Sequence, residues 1–180
     1  MKKKVIIVGS NGQDGIILKN KISKLNYKII EITKDNFDIS NFKLVQDLVK
    51  KNKPNKIFYL ASYHHSSDSK IIKNKNFFKL TNQINYLSLH YFLNAIHDYQ
   101  PTCKFFYASS SMIYKNSNNL IDESTIPSPN NEYGYSKLYA MQLCKYYREK
   151  KKLFVSCGIL FNHTSSYQKN NFITKKIIKT

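Results

Sequence analysis

Tyr133-Gly134-Tyr135-Ser136-Lys137 places a phenol and an ammonium four residues apart, downstream of the run Ser109-Ser110-Ser111. On a helix, positions i and i+4 share one face, so the Tyr133 hydroxyl and the Lys137 amine converge on one point. A tyrosine titrates near ~10 in water and a neighbouring cation favours its phenolate, so the pair suits proton transfer at a substrate oxygen near neutral pH. In a chain with 14 Tyr and 29 Lys plus Arg, the spacing also arises by chance. Its neighbours decide what it means.

The first neighbour is the amino-terminal run Val5-Ile6-Ile7-Val8, which leads into Gly9-Ser10-Asn11-Gly12-Gln13-Asp14-Gly15 and then Ile16-Ile17-Leu18. Four β-branched residues in a row suit a strand buried on both faces, and the pattern reads strand, glycine turn, helix. Gly9 permits the tight turn, Gly12 lets backbone approach a pyrophosphate, and Gly15 lets the helix pack against the strand. Backbone N–H groups at the helix start then face the phosphates, aided by the positive end of the helix dipole. Three of only five glycines in the chain fall in this turn, which singles it out as a dinucleotide-binding loop.

These two sites need a sheet to position them, and the rest of the chain supplies one. Apolar runs at 5–8, 28–32, 57–60, 104–108 and 154–160 predict strands, and amphipathic segments at 16–25, 42–50, 81–98 and 132–150 predict helices between them. A last helix is predicted at 171–178, and Pro54 is the expected stop of the second. The alternation predicts an α/β fold, a doubly wound, mostly parallel Rossmann sheet formed by residues 1–180 as one domain. In such a sheet ligands bind beyond the carboxyl ends of the strands, where Gly9–Gly15, Asp38, Leu60-Ala61-Ser62, Ser109–Ser111 and Asn162-His163 all fall. Taken singly, Asp38 could cap a helix, the serines could form a turn, and His163 could be a surface histidine.

Composition removes several other classes. With 42% hydrophobic and 14% aromatic residues the chain is far from disordered, and no apolar run approaches the ~18 residues of a membrane span. Lys2-Lys3-Lys4 runs straight into a four-residue strand rather than a longer apolar core, so no secretory signal is expected. Cys103, Cys144 and Cys157 are odd in number and lack metal spacing, and a cytoplasmic location with free thiols follows as the expectation. The net charge of +18 suggests nucleic acid, but Arg148 is the only arginine and the lysines are spread from Lys2 to Lys179, so no specific nucleic-acid partner is expected.

At this point the residues resemble a known family, the extended short-chain dehydrogenase/reductases that act on sugar nucleotides. Within it, Gly12-Gln13-Asp14-Gly15, Gly158-Ile159-Leu160-Phe161-Asn162-His163 and Asn171-Phe172-Ile173-Thr174-Lys175-Lys176-Ile177 are most similar to the GDP-mannose 4,6-dehydratases. The resemblance implies that Tyr133 is the acid/base, that Lys137 holds the nicotinamide ribose and lowers the phenol's pKa, and that Ser110 binds the sugar O4. It implies dinucleotide contacts from Gly9, Asn11, Gly12, Gln13, Asp14 and Gly15, from Asp38 and Ile39 at the adenine, and from Leu60, Ala61, Ser62 and His163. Substrate contacts would come from Ser110, Ser111, Asn162, Asn171 and Lys176. Thr33 and Lys34 after the second strand suit a 2′-phosphate and point to NADP, with Glu31 leaving NAD as the alternative. A homo-oligomer would pair through the Tyr133/Lys137 helix, with Leu138, Met141, Leu143 and Tyr146 spaced for it.

Three departures qualify the resemblance. Met112 stands where the family has the Glu that serves as second acid/base, and a thioether carries no proton. Tyr167 and Gln168 replace the family's paired arginines. The family also runs well beyond 300 residues, so 162–180 would be the start of a truncated substrate-binding region. A nucleotide-sugar epimerase or ketoreductase, or an inactive dinucleotide-binding fragment, are therefore the alternatives to a dehydratase.

Overall fold

The computed structural model describes residues 2–64, 76–115, 120–168 and 175–177. Five strands, β1 (Lys3–Val8), β2 (Tyr27–Ile32), β3 (Lys56–Tyr59), β4 (Lys104–Ser110) and β5 (Val155–Leu160), form one sheet in the order β2-β1-β3-β4-β5. Every pairing is parallel. The helices are α1 (Gln13–Ile22), α2 (Phe42–Asn52), α3 (Phe77–Asn82), α4 (Ser88–Tyr99) and α5 (Glu132–Glu149). Among the described residues, no helix is long and apolar enough to cross a membrane.

The strand order explains the layering. The chain moves one way from β1 to β2 and then back past β1 to β3, so right-handed crossovers put α1 on one face and the later helices on the other. On the α1 side, Val5, Ile7 and Ile22 are buried together. On the other side, Ile6, Val8, Val45, Val49, Tyr59, Phe92, Phe105, Tyr107, Ala140 and Cys144 form the main core. The run Val5–Val8 is thus sealed on both faces, as its unbroken apolar character requires.

Local signals set the helix ends. Asn41 caps α2 by accepting from Leu44 N at 3.1 Å, and Lys53, at φ 46°, ends it just before Pro54. The helix expected at 81–98 begins earlier, at Phe77, and contains a π-helical turn at Gln83–Leu87 before α4. Helix α1 begins at Gln13 rather than residue 16, because Gly12 already serves as its extended N-cap. Most of the helix expected at 171–178, including Asn171, lies outside the described residues; 175–177 form a helical turn. Of the α5 residues expected at a subunit contact, Leu138, Met141 and Leu143 are half-buried in the fold and Tyr146 is exposed.

Candidate active site

The direction of the chain reverses on either side of β1, which opens a crevice beyond the carboxyl ends of β1 and β3. The glycine turn fills one wall of it. Gly9 has φ 89°, and a Cβ there would lie 2.8 Å from Ala61 N, so the turn needs glycine both for its conformation and for its approach to the loop after β3. A Cβ on Gly15 would overlap Gly9 O and lie 2.7 Å from Ser10 Cα, so only glycine lets α1 start this close to β1. Within the turn, Ser10 Oγ and Gln13 Oε1 are buried without a hydrogen-bond partner among the described residues. The Ser10 hydroxyl can donate to a phosphate oxygen, and together with a backbone that admits no extra carbon it fits a pyrophosphate seated at the start of α1, whereas Gln13 Oε1 can only accept.

The chemistry-bearing cluster sits across β3 from the turn. Strand β4 ends at Ser110, and a single 3₁₀ turn, Ser111–Ile113, follows it. Asn131 caps α5 by accepting from Gly134 N at 2.8 Å, and a Cβ on Gly134 would overlap Met112 O. The glycine between the two tyrosines therefore lets the first turn of α5 rest on the serine turn, which brings Tyr133 beside Ser110. Ser62, at the end of the β3 loop, donates to the Tyr133 hydroxyl at 3.4 Å.

Lys137 is buried and donates from Nζ to Ala108 O at 2.8 Å, with Nζ 5.0 Å from the Tyr107 ring centre and 5.7 Å from that of Tyr133. Burial without a counter-charge pulls its pKa down to about 7. The Tyr133 phenol is pushed above its usual range by burial, partly offset by hydrogen bonds from Ser62 and Ser110. In the free chain burial is the larger cause and the two hydroxyls the smaller.

A residue not singled out from the sequence organises the cluster. Asn85, fully buried within the π-helical turn, donates to Ser136 Oγ at 3.0 Å and to Tyr63 O at 3.1 Å. It accepts from Tyr63 N at 2.8 Å and Ser62 Oγ at 3.3 Å. One amide thus ties the β3 loop to α5. The signal was present: Asn85, Ser88 and Phe92 share a helical face, and all three are fully buried.

The segment after β5 closes against the glycine turn. His163 Nε2 lies 2.7 Å from Asp14 Oδ1, its Nδ1 lies 2.8 Å from Phe161 O, and Gln13 Nε2 donates to His163 O at 3.4 Å. With both ring nitrogens facing acceptors, the geometry suits an imidazolium, and these contacts raise the His163 pKa, the Phe161 carbonyl first and Asp14 second. Tyr167 accepts from Asn20 Nδ2 at 3.2 Å through its hydroxyl.

Of the remaining expected residues, Asn11, Asn162 and Lys176 are exposed, and Ser111, Leu60 and Ala61 are half-buried. Lys34 and Asp38 are exposed beyond β2, on the opposite side of β1 from Tyr133. Asp38 Oδ1 accepts from Ser40 N at 2.9 Å in a local turn and does not cap α2, whose cap is Asn41, while Ile39 behind it is buried. Glu31 is engaged by Lys19 at 3.0 Å.

The fold and several sequences converge on one relationship. A dTDP-4-dehydrorhamnose reductase from Bacillus anthracis, solved with NADP, superposes with a TM-score of 0.80 at 26% identity, over 99% of this chain and 60% of that one. GDP-mannose 4,6 dehydratase 2 of Caenorhabditis elegans is 25% identical over 99% of this chain and 54% of its own length. The Homo sapiens GDP-mannose 4,6 dehydratase is 40% identical over 78 residues, 43% of this chain and 21% of its own length. The chain spans about half the length of the full-coverage relatives. The family model of GDP-mannose 4,6 dehydratase matches residues 31–180, most of the chain, and the protein belongs to that family.

Proposed function

We propose that the chain binds NADP in the crevice beyond β1 and β3 and acts on C4 of GDP-mannose, giving a 4-keto-6-deoxy sugar. The convergence of Ser110, Tyr133 and Lys137 beside the glycine turn carries this reading. When bound, the dinucleotide supplies a hydride acceptor and donor. Ser110 would hold the sugar O4, Tyr133 as its phenolate would take the O4 proton, and Lys137 would hold the nicotinamide ribose. Burial favours the neutral phenol in the free chain, so this step requires the phenolate to be stabilised in the complex by the Ser62 and Ser110 hydroxyls and a Lys137 ammonium.

Lys34 with Thr33 receives the adenosine 2′-phosphate, and the engagement of Glu31 by Lys19 supports NADP over NAD. Asp38 and Ile39 face the adenine, and His163, as an imidazolium, faces the phosphates. Ser111, Asn162, Asn171 and Lys176 contact the sugar nucleotide. A second reading, ketoreductase or epimerase, is favoured by Met112, which supplies no proton for elimination. A third reading, dinucleotide binding without turnover, needs only the glycine turn.

Incubation with NADP+ and GDP-mannose, followed by mass spectrometry, tests the first. A product lighter by one water is expected. Measurable NADPH binding without product would remove the dehydratase reading, and no binding at all would remove all three.

A further inference from the structure

Elimination at C6 of the sugar needs a second proton-transfer group besides Tyr133, and the Met112 thioether, 42% exposed beside the serine turn, is not one. The described groups about the Tyr133 ring and hydroxyl are the hydroxyls of Ser62 and Ser110, the buried Lys137 amine, which is held on the Ala108 carbonyl, and His64, the one of these four that is exposed. The His64 ring lies 5.9 Å from the Tyr133 ring, centre to centre, with the planes inclined by 50°. Its position is built rather than incidental. The preceding residue, Tyr63, is clamped at both its N–H and its carbonyl by the buried Asn85 amide, and its ring packs on Phe77 at 5.8 Å. His64 itself is exposed, so it stands at the solvent mouth of the cluster, where a sugar bound through Tyr133 and Ser110 must lie.

We propose that His64 is a catalytic acid/base that takes over the role Met112 cannot fill. The assignment deepens the dehydratase reading and rests on it. Once C4 is a ketone, the C5–H bond breaks, its proton passes to the His64 imidazole, and the electron pair enters the C4–C5 enolate. Collapse of the enolate breaks the C6–O bond, and the imidazolium returns its proton to the departing hydroxide, which leaves as water. Hydride taken from C4 is returned to C6, and a solvent proton delivered through His64 restores C5–H. The sum is loss of one water with no external oxidant or reductant. Imidazole is the side chain whose ordinary range serves both directions of that transfer.

The test isolates the C5 step from the redox steps. The 180-residue chain is incubated in D2O with GDP-4-keto-6-deoxymannose, and deuterium at C5 is followed by NMR, while NADPH fluorescence reports dinucleotide binding separately. The wild type is expected to exchange C5. His64→Gln is expected to slow exchange by roughly 100-fold or more with NADPH binding retained, and Met112→Glu in that background to restore at least tenfold. Absence of exchange in the wild type, undiminished exchange in His64→Gln, or a loss that Met112→Glu does not restore would each overturn the assignment. GDP-mannose turnover with no dependence on His64 would overturn this assignment and leave the proposed function intact. Absence of NADPH binding would count against the function, and the exchange assay, which needs no redox step, would still decide on His64.

Discussion

The glycine turn after β1 and the hydroxyl cluster after β4 stand on either side of β3, and they become ordered by different means. In the turn, space is the constraint: Gly9 and Gly15 are required because a single added carbon meets main-chain atoms. In the cluster, polar side chains are taken out of water and held to one another, through Asn85, Ser62, Ser136 and Tyr133, around an unpaired buried lysine. Ser109 Oγ and Tyr107 OH are buried there without partners among the described residues. Both ends bury unpartnered oxygens, Ser10 and Gln13 in the turn as well as Ser109 and Tyr107 in the cluster, but close packing fixes the turn, whereas the cluster alone also desolvates a charged side chain, Lys137. Substitutions should separate the two.

The largest effect is expected in the turn. Gly15→Ala should cost about 3–5 kcal/mol in urea unfolding and abolish dinucleotide binding, since the backbone it would strike cannot move without shifting α1. A mild loss with binding intact would show that the turn is not sterically fixed. Next comes Asn85→Leu, which keeps the branched shape but removes the amide that holds Tyr63 N–H and C=O, at about 2–4 kcal/mol. It should also release the β3 loop from α5, seen as faster amide exchange at residues 61–64.

Lys137→Met should move stability the other way, by about 1–3 kcal/mol at pH 7, while removing turnover. The sign follows from the site: the folded state binds the lysine proton only up to a pKa of about 7, whereas an unfolded lysine holds it to 10.5. In the wild type this group makes stability rise with pH across that window and costs most below it, and the methionine variant should lose that slope. An unchanged slope would mean that Lys137 is not the desolvated group. The smallest effect is Asp14→Asn, under about 1 kcal/mol, because both partners are more than a third exposed and screened. His163 has a raised pKa, so the contribution is full below ~6.5 and fades as pH rises through the raised value.

The same contrast explains what the sequence disclosed. The turn was legible because its demand falls on residue type: only glycine meets it, and Gly9, Gly12 and Gly15 are contiguous with the strand and helix they join. Tyr133 and Lys137 were legible because helical spacing alone aligns them. Asn85 was overlooked because its partners, Tyr63 and Ser136, are 22 and 51 residues away, so its place on a buried helical face was legible but not what it holds. The protonation of the pair was not legible for a similar reason. Spacing reports that a lysine is near a phenol, but whether its charge survives depends on burial by Tyr107 and the Ala108 carbonyl, which only tertiary packing creates.

The proposed reaction moves a hydride within one sugar, from C4 to C6, beside Tyr133. The direct measurement uses GDP-mannose deuterated at C4, with the 180-residue chain and NADP+, and locates the label in the product. The account predicts a 4-keto-6-deoxy sugar with deuterium at C6 and none after Tyr133→Phe. A label lost to solvent, or a product that Tyr133→Phe still forms at the wild-type rate, would contradict it.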